Sequence, residues 1–178
     1  MRYFIGVTFP EETITKIDSF RKEFKSNKLP EIFEPHITIK YRSGLFDDMI
    51  WLNKVKPIIE NYPSFDVDFN GIGTFPGVII LKIEASKPLM SLHNLLYNEI
   101  KPDENDPTMR CFEGEKYIPH STLGMQSWGM TAEELSLMRE QAEAKLVPLP
   151  KFKVSFLRVY RQEKENFRYE KLIDIPLK

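Results

Sequence analysis

Two of the chain's three histidines stand in nearly the same five-residue setting, Pro35-His36-Ile37-Thr38-Ile39 and Pro119-His120-Ser121-Thr122-Leu123. A lone His-x-Thr carries little information, but the double match, with Pro before and an aliphatic after, arises by chance on the order of one time in a million. In a strand, residues two apart project from one face, so His36 and Thr38 lie side by side while Ile37 and Ile39 turn into the core, and the second copy repeats the arrangement. Side chains spaced about 6 to 7 Å along a strand can address one tetrahedral phosphate. Histidine suits such a site because its pKa near 6.5 lets one copy be neutral and the other protonated at the same pH. The neutral ring takes a proton from water or a hydroxyl, and the protonated one gives its proton to the departing oxygen. Thr38 and Thr122 add hydroxyl donors for the charge that builds on phosphate. This scheme uses neither a metal nor a cofactor.

Continued alternation puts Lys40 and Arg42 on the face of His36 and Thr38, where cations would bind substrate phosphate; solvated charges at a strand end are the plain alternative. Gly124 takes the matching place in the second copy and leaves room there. His93 reads as a helix-surface or packing residue. The segment 71–77, with Gly71, Gly73, Pro76 and Gly77, is not a dinucleotide fingerprint, since the third glycine is misplaced and Pro76 opposes a helix start; it reads as a turn.

The elements that must hold these residues follow from periodicity. Strands are expected at Arg2 to Phe9, Pro35 to Tyr41, Phe65 to Phe69, Val78 to Glu84, Tyr117 to Leu123, Phe152 to Arg161 and Tyr169 to Ile175. Helices are expected from Glu11 to about Lys25, Asp47 to Asn61, Pro88 to Ile100, and from a Thr131-Glu134 capping box onward. Each half thus carries one Pro-His-x-Thr strand followed by a helix, which suggests an internal pseudo-repeat. Lys101 to Lys116 reads as a surface loop, with a lid as the alternative.

Composition bounds the rest. At 42% hydrophobic and 29% charged residues the chain is globular rather than disordered. No apolar run approaches the roughly 20 residues that cross a bilayer, so no membrane partner is expected. Cys111 is the only cysteine, which forbids an intrachain disulfide, favours a cytoplasmic setting and offers no zinc site. It reads as a small hydrophobe. The net charge of -1 argues against a protein that coats duplex nucleic acid. The balance is uneven, +4 over residues 151–178 and -5 over the remainder, and suits a small phosphorylated substrate or an RNA end.

With these residues in view, the chain resembles the two-histidine (2H) phosphoesterase superfamily, the group of 2'-5' RNA ligase-like proteins and cyclic phosphodiesterases, and within it the small bacterial branch. The likeness rests on both His-x-Thr-x motifs, on the opening Arg2-Tyr3-Phe4-Ile5-Gly6-Val7 and on the closing Phe167-Arg168-Tyr169-Glu170-Lys171-Leu172. It implies an α+β, bilobed fold over residues 1–178: two pseudo-symmetric antiparallel sheets with outer helices, the motifs facing each other across a central cleft. It also implies a metal-independent hydrolase acting on 2',3'-cyclic phosphates or 2'-5' linkages, with His36 as proton donor and His120 as acceptor. Many relatives place a basic residue soon after the second motif, where this chain has Met125-Gln126, a departure that weakens any ligase activity. The alternative from another class is a non-catalytic protein that binds RNA ends or nucleotides in the same cleft.

Overall fold

The computed structural model describes residues 1–102 and 113–178. Most of the expected 101–116 loop, and Cys111 with it, lies outside the described residues. Nine strands and five α-helices follow one another as β1 (Arg2–Thr8), α1 (Glu11–Lys22), α2 (Leu29–Ile32), β2 (His36–Lys40), α3 (Ile50–Glu60), β3 (Phe65–Val67), β4 (Phe69–Phe75), β5 (Val78–Ile83), α4 (Lys87–Glu99), β6 (His120–Met125), α5 (Ala132–Leu146), β7 (Phe152–Val154), β8 (Phe156–Gln162) and β9 (Glu170–Pro176) among the described residues. One sheet has the order β2-β1-β8-β9 and a second the order β4-β5-β6, with β3 and β7 forming a short separate ribbon. Every pairing is antiparallel. This is the mixed α+β architecture the resemblance implies.

The two sheets are not the two halves of the chain. The first takes β1 and β2 from the start and β8 and β9 from the end, and α3 and α4 pack on it. The second is built from the middle, yet α1 covers it together with α5. Each motif strand is an edge: β2 closes the first sheet, β6 closes the second, and the two edges meet. The two motif strands therefore adjoin as edge strands of separate sheets.

β1 shows why the strands form where they do. Its Tyr3, Phe4, Ile5 and Val7 are β-formers buried on both faces, as befits a central strand covered by helix on one side. Gly6 in its middle is a packing requirement, since a Cβ there would sit 2.7 Å from the Ile37 carbonyl oxygen of the adjoining motif strand. The second and fourth motif positions anchor both motifs: Ile37, Ile39 and Leu123 are fully buried, each contributing about 1.5–3 kcal/mol of apolar burial. On α5 the capping box forms as the sequence predicts, with Thr131 Oγ1 accepting from the Glu134 amide at 3.2 Å and the Glu134 carboxylate accepting from the Thr131 amide at 2.9 Å.

Two expectations need correction. Segment 71–77 is mostly strand, β4, and only Pro76-Gly77 turn; Gly71 and Gly73 lie opposite β5, where Lys82 and Ile80 crowd the Gly73 position. The long closing strand is two, β7 and β8, which pair with different partners.

Candidate active site

Both motif strands carry a β-bulge at the same motif position. In β2, Ile5 pairs with Lys40 and Gly6 with Thr38, so Ile39 is an extra residue; in β6, Ile79 pairs with Gly124 and Ile80 with Thr122, so Leu123 is extra. Up to the bulge the expected alternation holds: His36, Thr38, His120 and Thr122 are half-buried, and Ile37 and Ser121 between them are fully buried. Beyond it the alternation inverts, as an inserted residue requires. Lys40 therefore does not share the His36 face. It is 0% exposed, its Nζ donating to the Ser43 carbonyl at 2.7 Å and to both Glu113 carboxylate oxygens at 3.1 Å. The room expected beside Gly124 is filled by the Met130 and Met138 sulfurs. Arg42, beyond the strand end, is half-buried, its guanidinium 5.0 Å from the Tyr41 ring centroid and its charge opposing the burial that raises the Tyr169 hydroxyl pKa.

The two imidazoles are oriented by one device. Nδ1 of His36 lies 2.7 Å from the Glu34 carbonyl, and Nδ1 of His120 lies 2.7 Å from the Ile118 carbonyl. In each case the partner is the residue before the motif proline, which proline biases toward extended backbone. A carbonyl only accepts, so Nδ1 carries the hydrogen in both rings and Nε2 keeps the lone pair. Among the described residues no hydrogen bond reaches either Nε2. Two Nε2 lone pairs are thus held in matching fashion on adjoining edges.

Their surroundings differ. Phe4, Tyr160 and Phe33 crowd His36, with ring centroids at 4.6, 5.6 and 5.7 Å. Burial there pushes the imidazole down to about 4; the Glu34 carbonyl opposes this, and the Arg21 and His120 charges add to it. His120 meets one ring, the edge of Phe75 at 5.1 Å. Its pKa is also lowered by burial, against the Ile118 carbonyl bond.

Several site-building residues escape a reading of motifs. Glu34 accepts from Tyr160 at 2.7 Å, Arg158 at 2.9 Å and Thr8 at 3.2 Å, which fixes the chain just before His36. Burial works to raise its carboxyl, and the Tyr160 and Arg158 bonds bring it below its usual value. Tyr117, just ahead of the second motif, donates to the Thr38 carbonyl at 2.7 Å and so joins the two motif segments. His93 is fully buried: its Nδ1 lies 2.7 Å from the Ile39 carbonyl, its Nε2 accepts from the Gly114 amide at 2.9 Å, and its ring stacks on Tyr117 at 3.7 Å. It is a packing residue, as expected, and it braces the first bulge. Arg21 spans the seam, donating to the Phe33 and Thr122 carbonyls. The sequence held one signal for it: a charge at helical spacing from Ile14, Ile17 and Phe24 on an apolar face. Glu34 also differs from its counterpart in charge, Glu34-Pro35 against Ile118-Pro119. Among the described residues no three of His, Cys, Asp and Glu are grouped to hold a metal ion.

The family described as the 2'-5' RNA ligase superfamily matches the chain over residues 9–166. No curated protein matches it. Among solved structures, TT0787 of Thermus thermophilus superimposes with a TM-score of 0.67 at 17% identity, covering 99% of this chain and 98% of that one. E. coli LigT complexed with 3'-AMP gives 0.62 at 17%, covering 99% and 97%, and LigT complexed with phosphate gives 0.62 at 15%, covering 99% and 96%. Likeness at these identities shows the shared fold.

Proposed function

Because the chain belongs to the 2'-5' RNA ligase superfamily, we propose that its two motifs form one phosphoesterase site that hydrolyses 2',3'-cyclic phosphates or 2'-5' phosphodiesters, on nucleotides or RNA ends, without a metal. The observation that carries this reading is the matched pair of imidazoles, each with Nδ1 tied to a carbonyl and Nε2 left for proton transfer. Water attacks phosphorus as one ring takes its proton; the bond to a ribose oxygen breaks as the other ring protonates that oxygen. Thr38 and Thr122 donate to the non-bridging oxygens. Arg42, whose charge reaches Tyr169 in the aromatic cluster beside His36, is the cation for substrate phosphate, and Lys40, fully buried against Glu113, is not. The small phosphorylated ligands bound by LigT agree with a substrate of that class.

The resemblance makes His36 the donor and His120 the acceptor. In the free site burial lowers the pKa of both rings, that of His36 to about 4, which favours neither order. An aryl phosphodiester decides the order, since a good leaving group needs no acid: the His→Ala variant whose activity returns on that substrate has lost the donor. The function itself is tested by turnover over 2',3'-cyclic mononucleotides, 2'-5' oligonucleotides and cyclic-phosphate RNA ends, in excess EDTA. Expected is hydrolysis of at least one class with a bell-shaped pH profile. Activity lost to EDTA and restored by a divalent ion refutes the metal-free scheme, and saturable binding without turnover of any class favours the binding protein.

A further inference from the structure

Arg21 is 1% exposed on α1, yet no carboxylate lies within ion-pair distance of it among the described residues. A buried guanidinium without a counter-ion is costly and persists where its donors are used. Here Nη2 donates to the Thr122 carbonyl of the second motif and Nη1 to the Phe33 carbonyl, three residues before His36, at 3.4 Å. Its Nε is buried without a hydrogen-bond partner among the described residues. One planar fork therefore reaches both motif segments from behind, each through a main-chain oxygen. We infer that Arg21 is a positioning residue for the paired motifs, which sets the spacing of the two motif strands and places a fixed positive charge behind the phosphate position.

This inference rests on the phosphoesterase reading for its phosphate, but the clamp and the charge can be read without turnover. The charged groups around Arg21 are Asp18 on its own helix, Arg168 from the segment before β9, and His36 from β2; Asp18 is itself paired with Lys22 at 2.7 Å. Around His36 they are Arg21, Glu34 and His120. Burial lowers the Arg21 pKa to about 10, which leaves it charged at neutral pH and repelling a proton on His36. The charge also supplies, from α1, a cation that Met125-Gln126 do not provide after the second motif.

Two variants separate the roles. Arg21→Lys keeps the charge but cannot bond both carbonyls with a rigid fork; Arg21→Met removes both. In R21M, the His36 imidazole followed by NMR without substrate should titrate at higher pH than in the parent, while His93, on the far side of β2, stays put. Its affinity for inorganic phosphate should fall about tenfold by calorimetry. R21K should keep the parent His36 titration and lose about 10²-fold in kcat with little change in KM, the signature of displaced reacting groups. An unmoved His36 titration in R21M, or a parent-like kcat in R21K, overturns the assignment. If R21M does not fold, the kcat and KM of R21K decide; if the parent turns over no phosphodiester, the titration and phosphate binding still decide, and the failure belongs to the functional reading alone.

Discussion

The two motif segments make the same imidazole geometry from the same residues and then place it in different company. His36 and His120 each sit 2.7 Å from a carbonyl two residues upstream, and each strand bulges one residue after its threonine. Around His36, however, stand Phe4, Phe33 and Tyr160, the Glu34 network and Arg21, whereas His120 meets the edge of Phe75. Repetition fixes direction and tautomer. Burial lowers the pKa of both rings, that of His36 to about 4 among its three aromatic neighbours and the Arg21 charge.

The largest break in that comparison comes from the brace behind the first motif. Lys40→Met leaves Glu113 buried without its ammonium, and loss of one partner from a buried pair costs about 3–5 kcal/mol. Denaturant unfolding should show that loss, with the KM of the folded protein for a substrate it turns over unchanged; a KM rise at low salt with unaltered stability would return Lys40 to the substrate.

Smaller is the effect of Glu34→Gln, which weakens the charged bonds to Arg158 and Tyr160 by about 1.5–3 kcal/mol in all. It removes a negative charge beside His36, so the His36 titration should move further down while that of His120 stays still. Equal shifts of both would dissolve the asymmetry.

Smaller again, Thr38→Val and Thr122→Val each remove one hydroxyl donor at nearly constant volume, and kcat should fall about tenfold or somewhat more. Similar losses at both sites would say that the threonines share the phosphate evenly; parent-like kcat in both would remove them from it.

Finally, stability should track the histidines. Burial lowers the pKa of His36, His93 and His120 below the ordinary 6.5. As pH falls from about 6.5 toward 4, the unfolded chain takes up protons that the folded one refuses, so this contribution to stability, complete above 6.5, is lost. Thermal melts should drop over that window, and less so with phosphate bound, since an anion between the rings favours their protonation.

Much of this was legible in the sequence, and the misses fall where local pattern does not decide the structure. Alternation placed His36, Thr38, His120 and Thr122 correctly relative to Ile37 and Ser121, because pattern and pleat share a period of two. It misplaced Lys40 because a bulge inserts a residue without leaving a mark in a run such as Thr38-Ile39-Lys40. Capping chemistry located α5, since Thr131 and Glu134 act locally. The glycines of β4 suggested a turn because their reasons, crowding of Gly73 by the Lys82 and Ile80 side chains and the positive φ of Gly71 where the β4–β5 register shifts, belong to the folded ladder. Arg21, Glu34 and Tyr117 act on main-chain carbonyls or side chains distant in sequence, and no spacing rule joins them to the motifs.

The central claim, that the two histidines are halves of one proton relay, is tested most directly by the rates of H36A, H120A and the double variant on a 2',3'-cyclic nucleotide that the parent hydrolyses. Each single variant should lose about 10²- to 10⁴-fold in kcat with a much smaller change in KM, and the double variant should be little worse than either. A single variant that keeps near-parent turnover, or a double variant whose loss is the product of the two, would contradict it.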